Sequence, residues 1–384
     1  MFNNPFSPIF GGKPGVFFGR SEILKRFELA MMDQGSDDRA FFFTGTRGCG
    51  KTALLEQLSI RSRNSKKTVI DLGPVDTVSQ LIRELSGFDE KTETVSPRAG
   101  VSVLGTGVDI SGISVSKTSR IGRESLQPLV LNACSKAKNG LFITVDEIQK
   151  IPVEDISALC NAFQMASRKG FDVMLAVAGL PYSYSAVIQH EGCTYLRRSS
   201  HEEIGLFTWD ETSEAYHTVF SGIRGLRLKD NLIDRLNEAS FGHPYLMQLL
   251  GYYLVVHVNA GSPKKTHEAT EEEVEAAISD ALLAYNLRAL KPLLEELPDR
   301  ERKYLAAMSA CMGEDRLALT SEVAKRAGLA QNRLSKPRAN LINNGVIASP
   351  EHGKVMFCIP YLSDYVVKNP GSSKVIDVAR QRRV

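Results

Sequence analysis

A chain of 384 residues is longer than one ordinary hydrophobic core and suits two or three domains. Its 43% hydrophobic and 24% charged residues are typical of a folded globular protein, which excludes a disordered or fibrous chain. A net charge of +3 excludes a strongly basic nucleic-acid coat and an acidic tail protein, although the balance is uneven: from Glu301 onward 14 Lys+Arg face 7 Asp+Glu.

Residues 1–15 are rich in Pro, Gly and Phe and read as an ordered or semi-ordered leader. MFNNPFSPIF has no basic segment followed by an apolar core, so no signal peptide is expected. Ile23, Leu24, Phe27 and Met31 recur at helical spacing and predict a helix from Ser21. A short buried strand at 40–44, a glycine-rich loop and a helix at 51–63 follow. A second strand is expected at 68–72 and a short helix at 77–86. Residues 88–122 alternate apolar and small polar side chains between glycines, the pattern of a β-hairpin-like insertion. Then come a helix at 125–138, a strand at 140–145, a helix at 153–169, a strand at 171–178 and a last strand at 204–207. Strands alternating with helices predict an α/β fold, a three-layer core around a parallel sheet. Beyond Asp210 the periodicity is helical, over 210–222, 229–239, 244–259 and 270–293. The stretch 297–368 reads as three short helices and a strand pair. The expected organisation is thus a core at 16–209, a helical lid at 210–293, a C-terminal winged helix-turn-helix at 294–368 and a basic tail at 369–384.

The segment FFFTGTRGCGKT places GxxxxGKT, the P-loop or Walker A motif, between an apolar strand and a helix. Its turn comprises Gly45, Thr46, Arg47, Gly48, Cys49, Gly50, Lys51 and Thr52. Backbone N–H groups in such a turn form an anion cradle with the helix N-terminus. Lys51 is suited to the β- and γ-phosphates of ATP, and the Thr52 hydroxyl to Mg2+. A second motif, LFITVDEIQ, ends a strand in two acids, the Walker B arrangement. Asp146 is the candidate magnesium ligand and Glu147 the candidate catalytic carboxylate that polarises water. Further on, Arg197 and Arg198 are candidates to stabilise charge on a neighbouring subunit's nucleotide. In FGHPYLMQ, Gly242 allows close backbone approach and Pro244 suits a first helical turn; His243 is a candidate to touch nucleotide or to relay a conformational change, the plainer alternative being a capped helix of the lid. In the C-terminal segment Arg333, Lys336, Arg338, Asn340 and Lys354 are the candidate DNA contacts of a recognition helix and wing. Pro337 fits that helix if Ser335 caps it.

With these motifs assembled, the chain resembles the AAA+ and archaeal-type P-loop ATPases of the origin-initiator and signal-transduction (STAND-like) branch. VFFGRSEILKRF is similar to the box that precedes the P-loop there, which places Gly19 and Arg20 on the adenine side. The P-loop, VDEIQ, FGHPYLMQ and the C-terminal SKPRANLINNGVI carry the rest of the likeness. The resemblance implies ATP with Mg2+, assembly of several copies and hydrolysis timed by contacts in trans. Related ATPases place a polar sensor at the end of the strand beside Walker B. Here that end is Ala178-Gly179-Leu180-Pro181, with no such residue. The first functional expectation is an ATP-hydrolysing, oligomerising factor that binds duplex DNA. The other is a nucleotide-gated signalling or scaffold ATPase whose winged helix binds a protein partner. Six scattered cysteines without a CxxC pair, and no long apolar run, give a cytoplasmic chain with reduced thiols and no membrane span.

Overall fold

The computed structural model describes residues 1–8, 15–90, 126–261, 265–328 and 331–369. Beyond residue 90, the insertion expected over 88–122 lies outside the described residues, as does the tail after 369. Contacts gather the chain into two units, Arg20–Thr44 with Leu54–Glu203, and Met1–Gly19 with Gly45–Ala53 and Ile204–Val384.

The first unit holds α1 (Ser21–Met32), β1 (Ala40–Thr44), most of α2 (Lys51–Asn64), β2 (Thr68–Leu72), α3 (Thr77–Glu90), α4 (Leu126–Lys136), β3 (Leu141–Val145), α5 (Val153–Arg168), β4 (Val173–Gly179), α6 (Ser183–Ile188), α7 (Thr194–Arg197) and β5 (Ser200–Glu203). The strands form one parallel sheet in the order β2-β3-β4-β1-β5. All residues of β1, β3 and β4 are buried, because helices cover both faces of a parallel sheet and both sides of each strand must be apolar. On one face Phe27 of α1 packs against Phe41 and Phe142. On the other, Phe42 joins the core made with α3, α4 and α5. The polar exception in β3, Thr144, is 3% exposed and donates to Asp71 Oδ1 at 2.7 Å on the neighbouring strand, so its hydroxyl is satisfied.

Two expectations change here. Helix α3 continues to Glu90, so residues 88–90 are helical. The fifth strand is Ser200–Glu203, where the sequence pointed to 204–207. As an edge strand β5 alternates half-buried and exposed polar side chains and carries no apolar signal. Ile204 and Phe207, which supplied that signal, are buried in the second unit.

That unit holds α8 (Trp209–Ser221), β6 (Leu226–Arg227), α9 (Asp230–Ser240), α10 (Pro244–Ala260), β7 (His267–Glu268) and α11 (Glu271–Tyr285). A π-turn, Asn286–Leu290, and α12 (Lys291–Glu296) divide what the sequence reads as one helix. Thr208 with Glu211 and Thr270 with Glu273 form capping boxes that fix the starts of α8 and α11. The first residues of the chain are stapled to α10. Asn259 exchanges hydrogen bonds with the Phe2 backbone at 2.7 and 3.0 Å, and Phe6 lies against Gly251, where a Cβ would stand 2.3 Å from its ring.

The C-terminal elements are α13 (Asp299–Ser309), β8 (Ala318–Leu319), α14 (Thr320–Arg326), α15 (Gln331–Asn343), β9 (Ile347–Ala348), β10 (Lys354–Phe357) and α16 (Leu362–Lys368). Strands β8-β10-β9 form an antiparallel sheet; the three helices and the strand pair follow the expected order, with β8 added between α13 and α14. Helix α15 starts at Gln331, so the condition of a cap at Ser335 is not met: Pro337 lies inside the helix and the Arg333 carbonyl has no N–H donor at position 337. No helix among the described residues is long and apolar enough to cross a membrane.

Candidate active site

Strand β1 runs directly into the P-loop at Gly45. Gly48 and Gly50 have φ of +79° and +97°, angles that side-chain-bearing residues avoid. Gly45 has a different reason: a Cβ there would stand 2.4 Å from the Ile204 carbonyl oxygen and 2.7 Å from Cys49 Sγ. Lys51 is 6% exposed, and its ammonium donates to the carbonyls of Gly45 (2.8 Å) and Thr46 (2.7 Å). Its remaining neighbour is Cys49 Sγ at 3.8 Å, a weak acceptor that a phosphate oxygen would outcompete. Thr52 is exposed at the first turn of α2. Its hydroxyl and a carboxylate suit magnesium, a hard cation that keeps several waters and needs few protein oxygens.

The start of α10 is built against this loop. Phe241 and Gly242 both have positive φ, and a Cβ on Gly242 would stand 2.0 Å from the Phe207 carbonyl oxygen. That turn presents His243 to Gly48, whose missing Cβ would lie 2.5 Å from the imidazole. His243 Nδ1 accepts from Leu246 N–H at 3.4 Å as the helix cap, and Nε2 faces the Arg47 carbonyl at 3.4 Å. The arrangement requires the neutral ring with its proton on Nε2. Burial agrees, pushing the imidazole down to about 4. Pro244 packs near Gly50, with Cγ 3.7 Å from the position a Cβ would take. Arg47 turns outward to pair with Glu296 at 2.8 Å, and a Cβ on Gly19 (φ +58°) would lie 2.7 Å from the Phe207 ring. Arg20, also at positive φ, precedes α1.

In the first unit, Thr44, Val145 and Gly179 end their strands at one edge of the sheet. The acidic pair therefore leaves the edge from which the P-loop departs. Asp146 Oδ1 accepts Glu147 N–H at 2.8 Å, and Glu147 adopts a left-handed conformation (φ 52°, ψ 42°). Glu147 Oε2 receives Gln149 Nε2 at 2.9 Å and Lys150 Nζ at 3.1 Å. Of the two arginines, Arg197 donates from Nε and a terminal nitrogen to the Ile188 carbonyl at 3.1 and 2.9 Å. Arg198 is exposed, and its side chain has no partner among the described residues.

The five candidate DNA contacts separate in the same way. Arg333 and Lys336 are exposed and unpaired among the described residues. Arg338 donates to Ser349 Oγ at 2.9 Å, and Asn340 to the buried Glu301 at 2.9 Å. Lys354 pairs with Glu351 at 2.9 Å, which raises its pKa above the ordinary lysine value.

Residues 288–366 match a family model described as a domain of unknown function (DUF8462). A search of the curated proteins finds no match. Among solved structures, the chain is similar to the ORC2 protein of Aeropyrum pernix in ADPNP–ADP complexes, at 13% identity and a TM-score of 0.59, covering 92% of this chain and 95% of that one. The ADP form of the same protein matches at 15% identity and 0.51, covering 92% and 93%. A weaker match joins Cdc6p of Pyrobaculum aerophilum, at 12% identity and 0.47, covering 92% and 95%. The two ORC2 likenesses show a shared fold, an α/β architecture with a five-stranded parallel sheet.

Proposed function

We propose that the protein is a magnesium-dependent ATPase of AAA+ type, which binds ATP through Lys51 and the backbone of 45–52. The observation that carries this reading is the P-loop itself: glycines at positive φ, a buried lysine held in the turn, and an acidic pair leaving the same sheet edge. Thr52 and Asp146 are the proposed magnesium ligands, and Glu147 the group that orients water. The matching fold of the ORC2 structures, which hold adenine nucleotides, supports the ligand class. Arg198 is the better candidate to act on a second copy's nucleotide, because Arg197 is committed to its own chain. Binding of a fluorescent ATP analogue with Mg2+ tests the assignment. Lys51→Ala is expected to weaken it about a hundredfold or more, and unchanged affinity would remove the site.

The nucleotide is proposed to control a homo-oligomer that holds duplex DNA through Arg333 and Lys336. Their replacement by Ala is expected to lower DNA affinity and flatten its salt dependence by nearly one unit of slope per lost phosphate contact, with ATPase intact. One observation favours a protein partner for the C-terminal subdomain instead. Arg338, Asn340 and Lys354 are engaged within it, which leaves a small basic footprint. DNA binding unaffected by both replacements, or absent at low salt, would select that alternative.

A further inference from the structure

Strand β4 ends at Ala178-Gly179, is followed by Leu180-Pro181, and brings no polar side chain to the edge where the acidic pair leaves. Gln149 supplies a polar connection in its place. Its Oε1 accepts Leu180 N–H at 3.1 Å, which fixes the orientation of the amide, because a backbone N–H can bond only to the oxygen. Nε2 is thereby aimed at Glu147 Oε2, 2.9 Å away. Gly179 makes room for this crossing: a Cβ there would stand 2.9 Å from Gln149 Oε1 and 2.8 Å from Ile148. The left-handed turn at Glu147 and the short 3-10 helix that follows, Ile148–Lys150, place Gln149 where one side chain reaches both partners.

We infer that Gln149 is a positioning residue that holds the Glu147 carboxylate and ties it to the end of β4. This inference rests on the proposed ATPase role of Glu147. The carboxylate offers four lone-pair positions, and Gln149 and Lys150 both approach Oε2. Oε1 is left to receive a water. Gln149 thus fixes which oxygen faces the reacting atoms. Lys150 cannot replace it, since its side chain is 56% exposed and has no tie to β4.

The test is ATP hydrolysis and ATP-analogue binding by Gln149→Leu, Glu147→Gln and the double variant. Wild-type turnover is read first; no hydrolysis there overturns the ATPase reading and the inference with it. In an active wild type, Gln149→Leu is expected to lower kcat about tenfold or more while nucleotide affinity stays within about twofold. In the Glu147→Gln background the same replacement is expected to have no further effect, because the group it positions is gone. Unchanged kcat in the single variant, a parallel loss of affinity, or an equal loss of kcat in both backgrounds would each overturn the role and leave the ATPase reading standing. Gln149→Met, which keeps the side-chain length without the amide, repeats the measurement if the leucine variant does not fold.

Discussion

At the N-terminal edge of the sheet, Asp172 lies between Arg39 and Lys67, with side chains only 18%, 14% and 4% exposed, and both cations bond its carboxylate. Arg39 also donates to the carbonyls of Ala30 and Val173, and Lys67 to that of Asn139 at 3.1 Å. At the C-terminal edge, Asp146 and Glu147 are half-buried, and Glu147 is held by a neutral amide and an exposed lysine. The first arrangement leaves no free charge for chemistry; the second keeps a carboxylate oxygen accessible. A cavity of about 470 Å³ does open at the N-terminal edge. Its charged lining residues, however, are paired with one another, Glu28 with Arg61 and Lys67 with Asp172. The state of the charges thus separates the two edges: the cavity at one is lined by paired groups, whereas the carboxylate at the other keeps a free oxygen.

The largest expected effect would break this comparison at its closed end. Asp172→Ala leaves two nearly buried cations without a counter-charge and is expected to cost about 3–5 kcal/mol of stability in urea unfolding. ATP affinity of the folded fraction should not change. A loss below about 1 kcal/mol would mean that Arg39 and Lys67 find water or other acceptors, and the edge would not be sealed by this cluster.

The next effect concerns the P-loop, where a buried neutral histidine packs against Gly48. An unfolded histidine binds a proton below about 6.5, whereas folded His243 does so only near 4. The unfolded state therefore holds more protons between these values. The stability that the neutral ring contributes is complete above about 6.5 and is lost as pH falls toward 4. Between pH 7.5 and 5 this loss is roughly 2 kcal/mol. His243→Asn keeps a capping side chain and removes the titration. Its unfolding free energy should fall by about 2 kcal/mol less than that of the wild type over the same interval, and an identical pH slope would mean that His243 is not buried in solution.

How much of this was legible in the sequence follows from where each signal resides. The P-loop could be read because glycine spacing, a buried strand and a helix start coincide within 12 residues, 41–52. The place of Asp146 just past a strand end could be read because β3 is buried on both faces and its apolar run stops there. Strand β5 was misplaced because an edge strand needs no apolar face, while Ile204 and Phe207 answer to another core. The condition that would put Pro337 in a first turn, a cap at Ser335, is not met: α15 begins at Gln331 and tolerates Pro337 in its interior. The role of Gln149 is not legible in LFITVDEIQ, since it depends on β4 lying beside β3. The inward turn of Asn340 likewise depends on Glu301, 39 residues away.

The smallest effect sharpens the comparison close to the C-terminal edge. Thr144 lies one residue from the end of β3, and its hydroxyl could be mistaken for part of the site. It bonds Asp71 Oδ1, which also accepts from Ser59 Oγ at 2.5 Å, while Arg63 engages the other oxygen. Asp71 keeps those two partners when the hydroxyl is removed, so no charge is stranded. Thr144→Val is expected to cost about 1 kcal/mol of stability and to leave ATP turnover unchanged. A fall in turnover at constant stability would place Thr144 with Asp146 and Glu147, and would move the boundary between the structural and the chemical parts of the sheet inward by two residues.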